Sequence, residues 1–144
     1  MIEYFSKNCT ALLVYKKNNY IYKIYRNTNA GLGRFKNELF FLNNFNTYSH
    51  FPNLLGYDNN KLTIIMSFCG KHLNNKNIPD NWMDQIIEIN NILKIYRIEL
   101  VDLQYKNILC NNGIIYLIDF DNYNILKEYN NNNLNRLISI FKNL

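Results

Sequence analysis

Two aspartates and an asparagine are spaced along residues 101–121 in a way that suits phosphoryl transfer. In the segment VDLQYKNILCNNGIIYLIDFD, Asp102 is followed by Asn107 five residues later and by Asp119 after a second apolar run. One carboxylate could orient an attacking hydroxyl, while an amide oxygen and a second carboxylate could hold a magnesium ion that bridges phosphates. Because this chemistry depends mostly on positioning and charge neutralisation, it requires hard oxygen ligands at fixed spacing.

The amino-acid composition weakens any inference from a single residue of this segment. About one residue in five is asparagine, and lysine, isoleucine and tyrosine are also frequent, as in the coding bias of an AT-rich genome of a large DNA virus, a parasite or an endosymbiont. Aspartate in loops commonly caps turns. Asn107 alone therefore indicates little, and the prediction depends on the residues taken together and in order.

The first 68 residues predict a five-stranded antiparallel sheet with one inserted helix, an α+β arrangement. IEYFS, TALLVYKK and NYIYKIYRN are rich in branched and aromatic residues and predict three strands, the last two joined by the turn KKNN. FPNLLGYDNNKLTIIMSF predicts two more strands with DNN at the turn. Between these groups, Phe35, Leu39 and Leu42 recur at helical spacing, which predicts a helix over residues 35–44.

The rest of the chain predicts two helices around a strand–turn–strand unit. Residues 69–81 are polar and irregular and form the best linker candidate, and Asn81 followed by Asp84 suits the start of a helix. The helical register of that segment is carried by Met83, Ile86, Ile87, Asn90, Leu93 and Tyr96–Arg97. A hairpin with NNG at its turn follows. The tail has an apolar stripe that should pack on the domain or, if exposed, form a homodimer: Leu134, Leu137, Ile138 and Phe141.

Lys23 lies in the third predicted strand, YIYKIY. Alternation along this strand places Ile21, Lys23 and Tyr25 on one face. Either the lysine is buried beside apolar neighbours, or both faces of the strand are covered.

Taken in order, these motifs resemble those of the eukaryotic-like protein kinase superfamily. YKIY resembles the third-strand V-A-I-K motif, FKNELFFL resembles the C-helix with its glutamate, and HFPNLLGYDNNKLTIIMSFCGKHL is similar to the stretch from the fourth strand through the hinge. VDLQYKNIL resembles the catalytic loop, and LIDFD resembles the metal-binding D-F-G. The resemblance implies a single kinase-like domain with an N-lobe over residues 1–68, a hinge or linker over 69–81, and a strongly reduced helical C-lobe with the catalytic hairpin over 82–144.

The resemblance also implies a role for each candidate residue. Lys23, held by Glu38, would bind the phosphates of ATP, and removing one partner of such a buried pair costs about 3–5 kcal/mol. Asp102 would orient the acceptor hydroxyl, and Lys106 would lie near the γ-phosphate. The ligands of Mg²⁺ or Mn²⁺ would be Asn107, Asp119 and Asp121. The other ATP contacts would be the adenine-facing hinge, Met66, Ser67, Phe68 and Cys69, and the phosphate-facing turn with Lys7 and Asn8.

Several departures from the family pattern leave alternatives open. The turn SKNCT replaces the Gly-rich loop, Leu100-Val101-Asp102 replaces H-R-D, and DFD replaces D-F-G. Only 25 residues follow Asp119, too few for a normal activation segment, so control by activation-loop phosphorylation is not expected. We expect a kinase that phosphorylates Ser/Thr hydroxyls of proteins. The alternatives are a small-molecule kinase and a pseudokinase that binds nucleotide or protein without turnover.

The net charge and the cysteine content limit the possible binding partners and the cellular compartment. The net charge of +5 suits an anionic partner such as a nucleotide. The chain has no block of five or six basic residues, so a basic RNA-binding α+β domain is only a third interpretation. The three cysteines are odd in number and far apart, which indicates a reducing, cytoplasmic compartment. They form no CxxC motif and the chain has only two histidines, so no zinc site is expected. We expect no signal peptide and no membrane contact, because no run approaches the roughly 20 apolar residues of a membrane span.

Overall fold

The computed structural model describes residues 2–6 and 10–144. The chain divides into two units, Met1–Phe68 and Cys69–Leu144. No helix in the described part of the chain is long and apolar enough to span a bilayer.

The first unit is a five-stranded antiparallel sheet with one helix, which confirms the α+β prediction for this part of the chain. The helix, α1 (Asn29–Phe45), is inserted between the third and fourth strands. The strands lie side by side in the order β1-β2-β3-β5-β4. Their bounds are β1 (Ile2–Ser6), β2 (Ala11–Lys17), β3 (Tyr20–Tyr25), β4 (Leu54–Asp58) and β5 (Thr63–Ser67).

Short polar side chains form the two predicted hairpin turns of this sheet. Asn18, between β2 and β3, has a φ of 58°, a left-handed conformation that asparagine tolerates better than most residues. After β4, the carboxylate of Asp58 accepts hydrogen bonds from the N–H groups of Asn60 (2.9 Å) and Lys61 (3.1 Å). These local bonds explain why KKNN and DNN were readable from the sequence as turns.

Helix α1 begins at Asn29 rather than at Phe35, so the predicted start was wrong. The Thr28 hydroxyl accepts a hydrogen bond from the N–H of Gly31 (3.0 Å) and caps the first turn. A side chain at Gly31 would collide with the Arg26 carbonyl, so glycine is required there. Glycine lowers intrinsic helix propensity by about 1 kcal/mol, which hid this turn from an analysis based on apolar spacing.

An aromatic cluster fixes α1 against the sheet. The rings of Phe41 and Phe45 stack with centroids 4.2 Å apart, and Phe51 packs edge-on against both, at 5.5 and 5.3 Å. All three side chains are buried, as is Ile64 of β5. Rings in offset or edge-on contact contribute specific geometry beyond area burial, so this cluster sets the position of every residue on the inner face of α1.

The second unit contains two helices, two small sheets and a 3-10 helix. The predicted hairpin is present, and Asn112 (φ 51°) and Gly113 (φ 77°) form its turn. The elements are β6 (Lys71–His72), α2 (Trp82–Ile95), β7 (Ile98–Leu100), the 3-10 helix Tyr105–Asn107, β8 (Ile108–Asn111), β9 (Ile114–Leu117), β10 (Tyr123–Ile125) and α3 (Asn132–Lys142). One sheet has the order β6-β8-β9, and β10 pairs with β7 in the other.

The predicted linker is not entirely irregular, because β6 lies within it and pairs with β8. Gly70 makes this approach possible. Its φ is 102°, and a Cβ at this position would lie 2.5 Å from the Cys110 carbonyl oxygen. A two-residue strand whose pairing depends on a distant segment has no periodicity of its own, so sequence patterns could not reveal it.

The inner face of α2 differs from the predicted register. Ile87 is 41% exposed, whereas Gln85 is only 5% exposed. The Gln85 amide donates to the Gly113 carbonyl (2.8 Å) and accepts from the N–H of Ile115 (2.9 Å), so α2 holds the β8–β9 turn through a polar side chain. A buried polar group whose hydrogen bonds are satisfied costs little. Apolar periodicity therefore placed Ile87 on the inner face of α2, where Gln85 is buried instead.

Helix α3 packs its apolar stripe within the second unit. Leu137 has no exposed surface, and the ring of Phe141 stacks on Trp82 of α2 with centroids 5.1 Å apart. This is the packing that the stripe predicted for a single domain. The homodimer through this helix stays a prediction.

A buried polar network joins α2, α3 and β7. The amide of Asn133, 1% exposed, donates to the Ile98 carbonyl (2.8 Å) and to the Tyr129 hydroxyl (2.9 Å), and accepts from the N–H of Leu100 (3.0 Å). The Tyr129 hydroxyl donates in turn to Asn90 (2.7 Å). Because β7 leads directly into the segment with Asp102, the network sets where that segment begins.

We predict that Asn133→Ala destabilises the second unit. The substitution leaves the Leu100 N–H and the Ile98 carbonyl buried without this partner, which should lower the free energy of unfolding by about 2–3 kcal/mol. Trp82, the single tryptophan, lies in this unit, so urea unfolding followed by its fluorescence measures the change. Asn135→Ala, at an exposed position of the same helix, is the control and should change stability by less than about 0.5 kcal/mol. Equal midpoints for both variants would contradict the role of the network.

The same network predicts a loss of stability in alkali. Burial raises the pKa of the Tyr129 phenol above its ordinary value of 10.0, aided by the charge of Glu99 and opposed by the Asn133 hydrogen bond. The folded chain holds this proton more tightly than the unfolded chain, so this contribution is full below about pH 10 and is lost as the pH rises through the raised pKa. The free energy of unfolding should fall less steeply above about pH 10 in Tyr129→Phe than in the unmodified protein. Parallel curves would show that this phenol is not the group responsible.

Candidate functional site

A buried ion pair is the main candidate feature of the first unit. Lys23 of β3 and Glu38 of α1 lie 2.7 Å apart, Nζ to Oε2, and their side chains are 8% and 1% exposed. Tyr25, on the same face of β3 as Lys23, donates its hydroxyl to the same carboxylate oxygen. The Tyr25 ring centroid also lies 5.1 Å from the Lys23 ammonium. One carboxylate and one aromatic ring thus surround the charge of Lys23 and hold it in a fixed position.

Packing alone does not explain this ion pair. A well-packed apolar pair of similar volume is often as stabilising as a buried ion pair, because the charges lose their hydration. Ionisable groups held in buried, charge-compensated surroundings are concentrated at functional sites, although structural networks also contain them. A lysine ammonium is a compact charge with three donors, which suits contact with phosphate oxygens.

The predicted hinge residues are at the end of β5 and at the beginning of the second unit. The N–H of Ser67 donates to the Asn53 carbonyl (3.0 Å), and the N–H of Phe68 donates to the Asn19 carbonyl (3.1 Å). Adenine recognition here would therefore need groups other than these two N–H donors. The four positions are Met66, Ser67 and Phe68 in the first unit, and Cys69 in the second.

The turn between β1 and β2, predicted to contact phosphate, lies largely outside the described residues. Lys7 and Asn8 both fall there, and their roles stay predictions. The strands on either side of this turn are described, and β1 and β2 pair antiparallel from Ile2↔Lys17 to Ser6↔Val14.

In the second unit, Asp102 is held by two amides from its own loop. The Asn107 amide nitrogen donates to the Asp102 carbonyl (2.8 Å) and approaches its carboxylate at 3.4 Å. Gln104 donates to the other carboxylate oxygen. Since Asn107 uses its side-chain nitrogen within the loop, its side-chain oxygen Oδ1 is the atom that could act as a metal ligand. Lys106, between these residues, is exposed.

The predicted metal-binding segment follows β9 and has an unusual backbone. Asp119 has a φ of 71°, which is uncommon for a residue other than glycine but tolerated by aspartate and asparagine. Phe120 is buried, at 1% exposed, and Asp121 is 8% exposed. The buried Phe120 anchors the backbone between the two aspartates, and backbone outliers of this kind occur often at functional sites.

Two main-chain hydrogen bonds join this segment to the loop of Asp102. The N–H of Ile118 donates to the Asn107 carbonyl (3.0 Å), and the N–H of Val101 donates to the Asn122 carbonyl (3.2 Å). The second unit thus brings together four predicted residues with hard oxygen donors, which we call the acidic loop cluster: Asp102, Asn107, Asp119 and Asp121. Carboxylate and amide oxygens are the donor types that Mg²⁺ prefers in proteins, so the donor set fits the predicted metal.

Other polar residues of the two units support these positions but gave weak signals or none in the sequence. Alternation placed Tyr25 on the face of Lys23, so its contact was within reach of sequence reasoning. Gln85 and Gln104 act through single hydrogen-bonding partners that no periodicity marks. Cys110 is buried, and burial raises the pKa of its thiol, which argues against a nucleophilic role.

We predict strong energetic coupling between Lys23 and Glu38. Lys23→Met and Glu38→Leu each leave a buried charge without its partner and should lower the free energy of unfolding by about 3–5 kcal/mol. The double variant should lose much less than the sum of the two single losses. Because Trp82 lies in the second unit, far-UV circular dichroism is the signal to follow during urea unfolding.

Lys17→Met is the matched control, since Lys17 is exposed on the neighbouring strand β2. Its substitution should change stability by less than about 0.5 kcal/mol. Additive losses in the double variant would contradict the importance of the pair.

Comparison with known proteins does not assign the chain to a family. No protein-family model matches it, and no curated protein matches it in sequence. The kinase-like interpretation is therefore a proposal that depends on the residues and their geometry.

Proposed function

We propose that the chain is an ATP- and Mg²⁺-dependent phosphotransferase with a minimal protein kinase-like fold. The observation that carries this proposal is the buried ion pair of Lys23 and Glu38, 2.7 Å apart, on the third strand and the helix of a five-stranded antiparallel sheet. The acidic loop cluster of the second unit supplies the complementary chemistry. The first unit offers a fixed cation for phosphate, and the second offers hard oxygen ligands and a carboxylate base.

Lys23 would bind the α- and β-phosphates of ATP. Glu38 and Tyr25 hold the lysine at the sheet, so its ammonium is oriented before nucleotide arrives. An oriented charge in a region of low dielectric interacts more strongly with phosphate than a mobile surface lysine does.

Asp102 would orient the acceptor hydroxyl and accept its proton as the γ-phosphoryl group passes from ATP to the acceptor oxygen. Asn107 Oδ1 and the carboxylates of Asp119 and Asp121 would hold Mg²⁺. When bound, the ion would neutralise charge on the phosphates. The amides of Asn107 and Gln104 keep the Asp102 carboxylate from rotating freely, so the base is ordered in advance.

The preferred acceptor is a Ser or Thr hydroxyl of a protein, because the first unit resembles protein kinases most. A small-molecule acceptor is the second candidate. Asp121, buried where the resembled motif has glycine, favours it, since that variant is similar to the small-molecule branches of the superfamily. A pseudokinase is the third, and the engaged N–H groups of Ser67 and Phe68 at the predicted hinge favour it.

Phosphoryl transfer should depend on the acidic loop cluster. The pure protein is incubated with γ-labelled ATP, Mg²⁺ or Mn²⁺ and a generic acceptor such as myelin basic protein. Asp102→Asn and Asp119→Asn should each lower transfer by about 100-fold or more, because each removes a carboxylate that acts on the transferred group. Asparagine is chosen for Asp119 because it tolerates the left-handed backbone. Asp80→Asn, at an exposed position, is the matched control and should transfer normally.

Other results of this experiment separate the candidate functions. Transfer to small alcohols but not to protein would support the second candidate. A thermal shift with ATP but no transfer with either metal would point to the pseudokinase. If ATP shifts neither the unmodified protein nor Lys23→Met, the assignment of Lys23 as a phosphate ligand is wrong.

A further inference from the structure

Arg136 of α3 binds the main chain on both sides of Asp102. Its guanidinium donates to the carbonyls of Leu100 (2.6 Å), Val101 (3.0 Å) and Leu103 (3.2 Å). These are the two residues before Asp102 and the one after it. The sequence gave no signal for this contact, because 33 to 36 residues separate the partners.

A guanidinium is suited to this task in a way that other side chains are not. It is planar, presents five N–H donors in a rigid fork, and stays charged at every pH at which proteins fold. Hydrogen bonds from a charged donor are shorter and stronger than those between neutral groups. One side chain thus holds three main-chain carbonyls around Asp102, and neither a change of pH nor a modification is needed to form the contact.

The anchorage of α3 makes Arg136 a rigid support. Phe141 stacks on Trp82, and the neighbouring Asn133 binds both main-chain groups of β7 described above. Arg136 therefore projects from a helix that is fixed on both sides of it. The loop of Asp102 thus receives three of its hydrogen bonds from α3 of the same unit.

We infer that Arg136 is a positioning residue for Asp102, an inference that rests on the proposed function. Arg136 acts through the backbone: it fixes the direction in which the Asp102 carboxylate meets the acceptor hydroxyl. The resembled catalytic loop has an arginine next to its aspartate, whereas this chain has Val101 there. Here α3 supplies a guanidinium to the same segment from elsewhere in the chain.

The test compares Arg136→Met and Arg136→Lys with Asn135→Ala. Arg136→Met should lower kcat by about 10- to 100-fold, since small displacements of a catalytic group have effects of this size. The KM for ATP should change by less than about twofold, because nucleotide contacts are intact. Arg136→Lys should recover only part of the activity, because one ammonium cannot reproduce the fork. Asn135→Ala removes an exposed side chain of the same helix without touching the loop carbonyls or the network of Asn133, and it should keep normal kcat.

Amide hydrogen exchange gives a readout that does not depend on activity. Exchange of the amides of residues 101–107 should accelerate about tenfold or more in Arg136→Met but not in Asn135→Ala. If Arg136→Met does not fold, Arg136→Lys carries both measurements. Normal kcat together with unchanged loop exchange in the arginine variants would overturn the inference.

Failure of the proposed function gives a different result. If the unmodified protein transfers no phosphate, the proposed function is wrong and Arg136 positions no catalytic base. Faster loop exchange in Arg136→Met would then still show that Arg136 orders the loop, so the two failures are distinguishable.

Discussion

Lys23 can remain inside the first unit because the carboxylate of Glu38 lies 2.7 Å from its ammonium. A buried charge without its partner costs about 3–5 kcal/mol, so α1 must lie where Glu38 reaches β3. The stacked rings of Phe41 and Phe45, with Phe51 against them, hold the helix at that place. The apolar core and the ion pair thus specify one position of α1, and under the proposed function the fixed cation would bind phosphate.

The frequent asparagine of this chain takes three distinct structural roles. Asn18 and Asn112 occupy left-handed positions in hairpin turns, where an exposed polar side chain is tolerated. Asn133 is buried and joins α3 to β7, and Asn107 holds Asp102 within the loop. A composition set by coding bias therefore does not make the individual residues interchangeable, since burial and hydrogen bonding distinguish them.

Local patterns in the sequence predicted most of the sheet but not the polar contacts between distant segments. Strand alternation and turn residues act over a few positions, so the five strands, both turns of the first sheet and the face of Lys23 were readable. The start of α1 was missed because Gly31 is required by the close approach of the Arg26 carbonyl rather than by helix propensity. Gln85 and Arg136 were missed for a related reason: each binds carbonyls far along the chain, and no spacing records such a partner.

The contacts of the second unit favour a loop that is ordered as soon as the chain folds. Arg136 donates to the carbonyls around Asp102, and the side-chain amide of Asn107 donates to the Asp102 carboxylate. A guanidinium keeps its charge at all physiological pH values, so this order does not depend on pH. Under the proposed function, the energetic cost of ordering the catalytic base is met during folding and not at each turnover. Phosphoryl transfer by this chain would then depend on α3 as well as on the acidic loop cluster, because Arg136 and Asn107 together order the residue whose carboxylate meets the acceptor hydroxyl.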